Sequence, residues 1–228
     1  LMDGFLLYVA RFPTSVPAFQ AIYADHIATY GQILATSAKI GENYPFMLPM
    51  GIMFINGDQL GCTARTDYLM QPKGAEDFAW LRRLAHFRVK VLNRYLQLGE
   101  MVRAPELENE LPEVSGWWRK WDPERWVMDR VTRPAVLHSA WRASDGTVGL
   151  IFINITEQPQ KIACSVGGTD YGYPAGTDLS ATALGLDGAE KPVREPYATL
   201  EGGEGRVEQT LEPRGIWALE IGARSEGN

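Results

Sequence analysis

Ala135-Val-Leu-His-Ser-Ala-Trp-Arg-Ala-Ser-Asp-Gly-Thr-Val-Gly-Leu-Ile-Phe-Ile-Asn-Ile155 is the stretch from which the fold can be read. Two apolar runs rich in Val, Ile, Phe and Trp flank Ser144-Asp145-Gly146. Asp-Gly tolerates the positive φ of a tight primed turn, so the stretch predicts a β-hairpin. Short alternating stretches separated by Gly, Pro and Asp continue the pattern downstream. Strands are expected near 135–142, 147–155, 160–166, 178–184, 197–200, 205–211 and 215–221, with Pro213-Arg214-Gly215 as a second turn before the last. This series has the size of a small antiparallel β-sandwich of about 100 residues.

Upstream the grammar changes. Ala18-Phe-Gln-Ala-Ile-Tyr23, entered through Pro17, reads as a short strand. Asp25 then precedes Ile27, Tyr30, Ile33 and Leu34 on one helical face, which predicts a helix over 26–39. Gly51-Ile-Met-Phe-Ile-Asn56 is apolar on both faces, as expected of a parallel strand covered on each side. A long loop over 57–74 leads to a predicted helix over 75–98. Its stripe is Phe78, Leu81, Leu84, Ala85, Val91, Leu92 and Tyr95, with Gly99 as its stop. Strand, helix, strand, loop, helix is a parallel α/β pattern. A complete (β/α)₈ barrel takes about 250 residues, so the stretch before residue 130 holds only its last units, whose sheet edges two units alone would leave bare. The expected fold class is therefore α/β plus all-β: the last βα units of an incomplete (β/α)₈ barrel with a connector in 1–128, followed by an antiparallel β-sandwich in 129–228. The chain opens Leu1-Met-Asp-Gly4 without a basic segment or a cleavage site. The missing N-terminal part of the same chain is its expected partner.

Composition narrows the function. With 45% apolar, 22% charged and 11% aromatic residues, the chain is neither a disordered tail nor a coiled coil. The longest apolar run, 46–55, is broken by Pro49 and Gly51 and falls short of the about 18 residues of a membrane span. A net charge of −6 opposes sequence-independent nucleic-acid binding. Cys62 and Cys164 stand far apart, which argues against a disulfide framework or a zinc knuckle. GxGxxG, Walker, HExxH and GxSxG motifs are all missing, and the histidines are scattered. No cofactor and no metal are expected.

Three segments carry a resemblance. They are Val16-Pro-Ala-Phe-Gln-Ala-Ile-Tyr-Ala-Asp-His26, Phe54-Ile-Asn-Gly-Asp-Gln-Leu-Gly61 and Leu98-Gly-Glu-Met-Val-Arg-Ala-Pro105. With Asp145 to Thr156 and Leu211-Glu-Pro-Arg-Gly-Ile-Trp-Ala-Leu-Glu-Ile221 in the tail, the chain resembles the C-terminal part of a large glycoside-hydrolase-like family. Members of that family resemble retaining glycosidases with a (β/α)₈ barrel followed by a β-sandwich. The resemblance implies a carbohydrate substrate, and catalytic carboxylates at the ends of earlier strands, upstream of Leu1.

Barrels bind ligands at the carboxyl ends of their strands and in the loops that follow. On the strand assignment above, Tyr23, Asp25 and His26 end one strand, and Asn56, Asp58 and Gln59 end the next. These six are the candidate sugar-pocket residues, because carboxylates, amides and imidazole match hydroxyl pairs and Tyr matches an apolar ring face. Each has a structural reading too. Asp25 would cap a helix, Asn56-Gly57-Asp58 would make a turn, and His26 would sit in a first helical turn. Trp117, Trp118, Trp121 and Trp126 are expected to fill an interface between the two parts. Arg82, His86, Lys90 and Arg94 are expected on a solvated outer helix face, and the sequon Asn154-Ile-Thr156 is discounted because it falls inside a strand. The alternative function is a non-catalytic carbohydrate-binding or structural module.

Overall fold

A computed structural model of the chain describes residues 5–7, 17–23, 26, 28–31, 46–60, 69–122 and 125–224. The architecture mixes helix with mostly antiparallel sheet. The hairpin that opens the all-β half is β6 (Val136–Arg142) and β7 (Val148–Asn154). Its turn differs from the primed form: Gly146 alone takes a positive φ (84°), and Gly146 N–H donates to Ala143 O at 2.9 Å. That is a type I turn closed by a left-handed glycine, and Asp145 serves it as an acceptor for the Thr147 amide at 3.1 Å.

The other strands are β3 (Glu100–Val102), β8 (Gln160–Gly167), β9 (Leu179–Leu186), β10 (Pro192–Leu200), β11 (Glu204–Leu211) and β12 (Ile216–Ala223). Six of them form one sheet in the order β10-β9-β12-β7-β6-β3, all antiparallel, while β8 and β11 pair separately. Every residue of β7 is buried, so both faces of this sheet are covered. Leu150 and Phe152 face β8 and β11, meeting Ile162, Cys164 and Val207. Ile151 and Ile153 face the helices, meeting Phe54, Trp80 and Leu84. Edge strand β10 carries Pro192 and Pro196 and a register shift, features that blunt an open sheet edge.

The helical half departs from expectation. Ala18–Tyr23 is a helix, α1, not a strand. Met47–Ile55 is also a helix, α2, not the expected parallel strand over 51–56. Where a helix was expected over 26–39, Thr29–Gly31 forms β2, paired in parallel with β1 (Phe5–Leu7); positions 32–39 lie outside the described residues. The predicted helix over 75–98 is split into α3 (Ala75–Lys90) and α4 (Asn93–Leu96). Both Val91 and Leu92 donate to Phe87 O at 3.0 Å, which ends the regular ladder. The buried face of α3 is Trp80, Leu84, Phe87 and Arg88, whereas Phe78 is 44% exposed. Anchoring by Trp80 explains this rotation: its indole N–H donates to Arg214 O at 2.9 Å across to the sheet. Gly99 ends the segment as expected, and a Cβ there would stand 2.5 Å from Tyr95 O and 2.8 Å from Arg142 O. The expected connector contains a long hairpin, β4 (Glu113–Asp122) and β5 (Arg125–Pro134). Position 128 lies inside β5. The tryptophans of this hairpin have side chains outside the described residues.

Candidate functional site

Asn56-Gly57-Asp58 closes α2 as a left-handed helix cap. Gly57 has φ 74°, Gly57 N–H donates to Phe54 O at 3.1 Å, and Asp58 N–H donates to Met53 O at 3.0 Å. The turn reading of this tripeptide is therefore what its backbone does. Glycine is required twice over, since a Cβ would meet Trp141 Cη2 at 2.7 Å. The cap turns Asp58 inward, where it is fully buried.

Three other elements converge on it. Gln20 of α1 is 6% exposed and donates to Asp58 Oδ1 at 3.2 Å. Thr29 of β2 is buried and hydrogen-bonds the same carboxyl, and β2 is tied in by Gln59 N–H donating to Thr29 O at 2.7 Å. Arg88 of α3 is buried and donates through Nη2 to Gly57 O at 2.8 Å and to Gln97 Oε1 at 3.2 Å, while Gln59 Nε2 donates to the same Gln97 oxygen. Burial raises the Asp58 carboxyl from 3.8 to about 6, against the opposing pull of Thr29, Gln20 and the Arg88 charge. Burial likewise lowers Arg88 to about 10, with Asp58 opposing.

Of the six candidates, the structure brings together Asp58 and Gln59. Asn56 is half-buried and lines a different space, a cavity between α2 and the sheet. Tyr23 and His26 are exposed at the end of α1, and Asp25 lies outside the described residues. The partners Gln20, Thr29, Arg88 and Gln97 were missed. A signal existed for Arg88: it stands four residues after Leu84 and eight after Trp80, a charge on the apolar face.

Two further polar clusters join the helices to the sheet. Tyr95 OH donates to Glu220 Oε2 at 2.5 Å, and Arg194 grips both oxygens of that carboxylate. Burial alone would raise Glu220; the bonds from Arg194 and Tyr95 outweigh it and hold the carboxyl below its usual value. On α3 the basic row is not simply solvated. Arg82 Nη2 lies 3.2 Å from Glu190 and Lys90 Nζ donates to Glu190 O at 3.0 Å, so two members hold the β9–β10 turn, while His86 Nδ1 stands 2.8 Å from the same carboxylate without a hydrogen bond to it. The fourth, Arg94, pairs with Asp145. Asn154 is fully buried and donates to Gln158, Leu211 and Glu212 carbonyls, which agrees with discounting the sequon. Among the described residues no group of three or more His, Cys, Asp or Glu is placed to hold a metal, and no helix is long and apolar enough to cross a membrane.

No family model matches the chain, and no curated protein matches it. Solved structures similar to it include alpha-galactosidase I from Mortierella vinacea, at 7% identity over 92% of this chain and 44% of that one, with a TM-score of 0.40. Another is a GH27 β-L-arabinopyranosidase from Geobacillus stearothermophilus, at 13% identity over 78% of this chain and 30% of that one, TM-score 0.33. A third is the GH51 arabinofuranosidase from Xanthomonas axonopodis pv. citri, at 18% identity over 43% of this chain and 22% of that one, TM-score 0.27. All three are glycoside hydrolases, and the chain spans less than half the length of each.

Proposed function

We propose that this chain is the C-terminal part of a glycoside hydrolase acting on a carbohydrate. The helical part is the end of a (β/α)₈ barrel, and the sheet that follows the β4–β5 hairpin is an accessory β-sandwich. Together they supply part of the sugar-pocket wall, while the catalytic carboxylates come from segments upstream. The observation that carries this reading is the core shared between helices and sheet. Phe54, Trp80, Leu84 and Tyr95 pack with Leu137, Trp141, Ile151 and Leu184 in one cluster. Side-chain hydrogen bonds cross the seam from Trp80 to Arg214 O, from Trp141 to Ile55 O at 3.1 Å and from Tyr95 to Glu220. A tethered binding module closes its own core and meets its neighbour through a modest polar interface. Here the sheet buttresses the helical part, the role expected of a domain that stiffens a pocket it does not itself form.

Within that pocket wall, Asp58 is a positioning residue. It is buried, and its bonds to Gln20 and Thr29 hold α1 and β2 against the end of α2, fixing the exposed Tyr23 and His26 nearby in the chain. The test compares two proteins on a panel of aryl glycosides: the 228-residue chain, and one extended upstream by about 150–200 residues, the length a barrel requires. The short chain is expected to give no turnover and the long one to hydrolyse at least one substrate. Robust hydrolysis by the short chain, or an inert and folded long chain, would overturn the proposal.

A further inference from the structure

Strand β3 ends at Val102, which pairs with Ala140. Beyond that point, among the described residues, the first half of β6 has no strand on its outer side, because β3 is the last strand of the sheet. The space left there is a cavity of about 330 Å³, at the small end of the range for ligand pockets. Its apolar wall comes from Ile52, Ile55, Met101 and Leu137, and its polar groups are Asn56, Arg133, His138 and Ser139.

The hydrogen-bonding state of these groups can be worked out. His138 edges the cavity but stacks on Phe152 on the β8/β11 side of the sheet, where its Nε2 donates to Pro105 O at 3.0 Å. Burial lowers the basicity of this ring. Ser139 Oγ accepts the Trp141 indole N–H at 3.0 Å, leaving the hydroxyl proton to donate. Arg133 is half-buried. Its Nη1 donates to Thr132 O at 2.9 Å, and among the described residues no carboxylate pairs with it. Among the described residues the lining contains this one cation and no acid. A half-buried guanidinium beside an apolar wall, with no counter-charge among the described residues, suits an anion that brings the charge with it. The Ser139 hydroxyl and the Asn56 amide beside it suit the hydroxyls of a small ring.

We propose that the cavity between α2 and the open edge of β6 binds a carboxylate-bearing monosaccharide, with Arg133 pairing the carboxylate and Asn56 and Ser139 meeting ring hydroxyls. The anionic half of this assignment stands on Arg133. The sugar half rests on the carbohydrate reading above. The experiment titrates the 228-residue chain with D-glucuronate, with its neutral twin D-glucose, and with inorganic phosphate. Heat is followed by calorimetry, and the indole N–H signal of Trp141 by NMR, since that proton bonds to Ser139. Glucuronate is expected to bind at least about tenfold more tightly than glucose and to shift the Trp141 signal, and Arg133→Gln is expected to lose about tenfold or more of that affinity. Asn56→Ala, at a half-buried helix end, is expected to weaken binding severalfold and serves if Arg133→Gln does not fold. Equal binding of glucose and glucuronate, an unmoved Trp141 signal, wild-type affinity in both variants, or phosphate competing as strongly as glucuronate would each overturn the assignment. None of these results bears on aryl-glycoside turnover by the longer chain, so the two proposals fail separately.

Discussion

Replacing Asp58 with Asn tests the central polar cluster through the pH dependence of stability. The folded protein holds the Asp58 proton to about pH 6, whereas the unfolded chain releases it near 3.8. Below about pH 4 the carboxyl is neutral in both states and burial carries no charge penalty. Between about pH 4 and pH 6 the unfolded chain ionises while the folded one does not, so stability falls as pH rises; above about pH 6 the loss is complete. A gap of about two pH units, at about 1.36 kcal/mol per unit, makes the full loss about 3 kcal/mol. Asn keeps an oxygen to accept from Gln20 and Thr29 and cannot ionise.

The quantity to measure is a difference of differences. Urea unfolding of wild type and Asp58→Asn is followed by tryptophan fluorescence at about pH 4.5 and about pH 7.5. Other titrating groups are common to both proteins and cancel. Removing the carboxylate beside Arg88 shifts the mutant's stability by a constant, because Arg88 stays charged throughout this range. Wild type should therefore lose about 2 kcal/mol more than the mutant between the two pH values. Parallel curves would refute the reasoning, since they would mean that Asp58 is solvated or compensated in the folded state.

Other consequences are simpler. Tyr95→Phe removes the hydroxyl that donates to Glu220, a bond to a charged group, and should cost about 2 kcal/mol in urea unfolding; an unchanged midpoint would show that Arg194 satisfies Glu220 alone. Gly57→Ala combines a left-handed φ with a clash against Trp141, and should lower stability by about 2–4 kcal/mol. A melting temperature within a degree or two of wild type would contradict it. Cys164 is buried and its thiol is pushed up to about 11, so at pH 8 mass spectrometry should find it alkylated at least about a hundredfold more slowly in the folded protein than in urea.

The all-β half was legible because its signals are local. Each expected strand in the tail has an observed counterpart, from Val136–Arg142 to Ile216–Ala223, and most ends agree within a residue or two. Asp145-Gly146 and Pro213-Arg214-Gly215 mark real turns, although in the second it is Arg214 that takes the positive φ, at 53°. What local signals missed is long-range. The strand expected over 197–200 starts earlier, at Pro192, and β10 tolerates Pro192 and Pro196 because it is an edge. Arg82 and Lys90 looked solvated because a turn about a hundred residues away, at Glu190, is what they hold. Asp58 and Gln59 were recognised as chemistry-bearing, whereas Gln20 and Arg88 acquire their meaning only from the fold that brings them to Asp58.

The misreading of α2 has a more specific cause. Met47-Leu-Pro-Met-Gly-Ile-Met-Phe-Ile55 is apolar at almost every position, and seven of its residues, Leu48 to Phe54, are buried. A segment buried all round has no hydrophobic periodicity, so helix and covered strand look alike, and Ile52, Phe54 and Ile55 tilt the choice toward strand. Pro49 fits the helix that starts before the expected strand, because in the first turn its missing N–H has no partner to lose. Gly51 fits the same choice: its missing side chain lets α2 lie against the sheet, where a Cβ would stand 2.8 Å from Ile155 and 2.9 Å from Leu137. Read as helix, the run spans about 14 Å rather than the about 30 Å of an extended strand. That shorter span is what sets Asn56 at the cavity by β6 while Asp58, two residues on, turns back under α1.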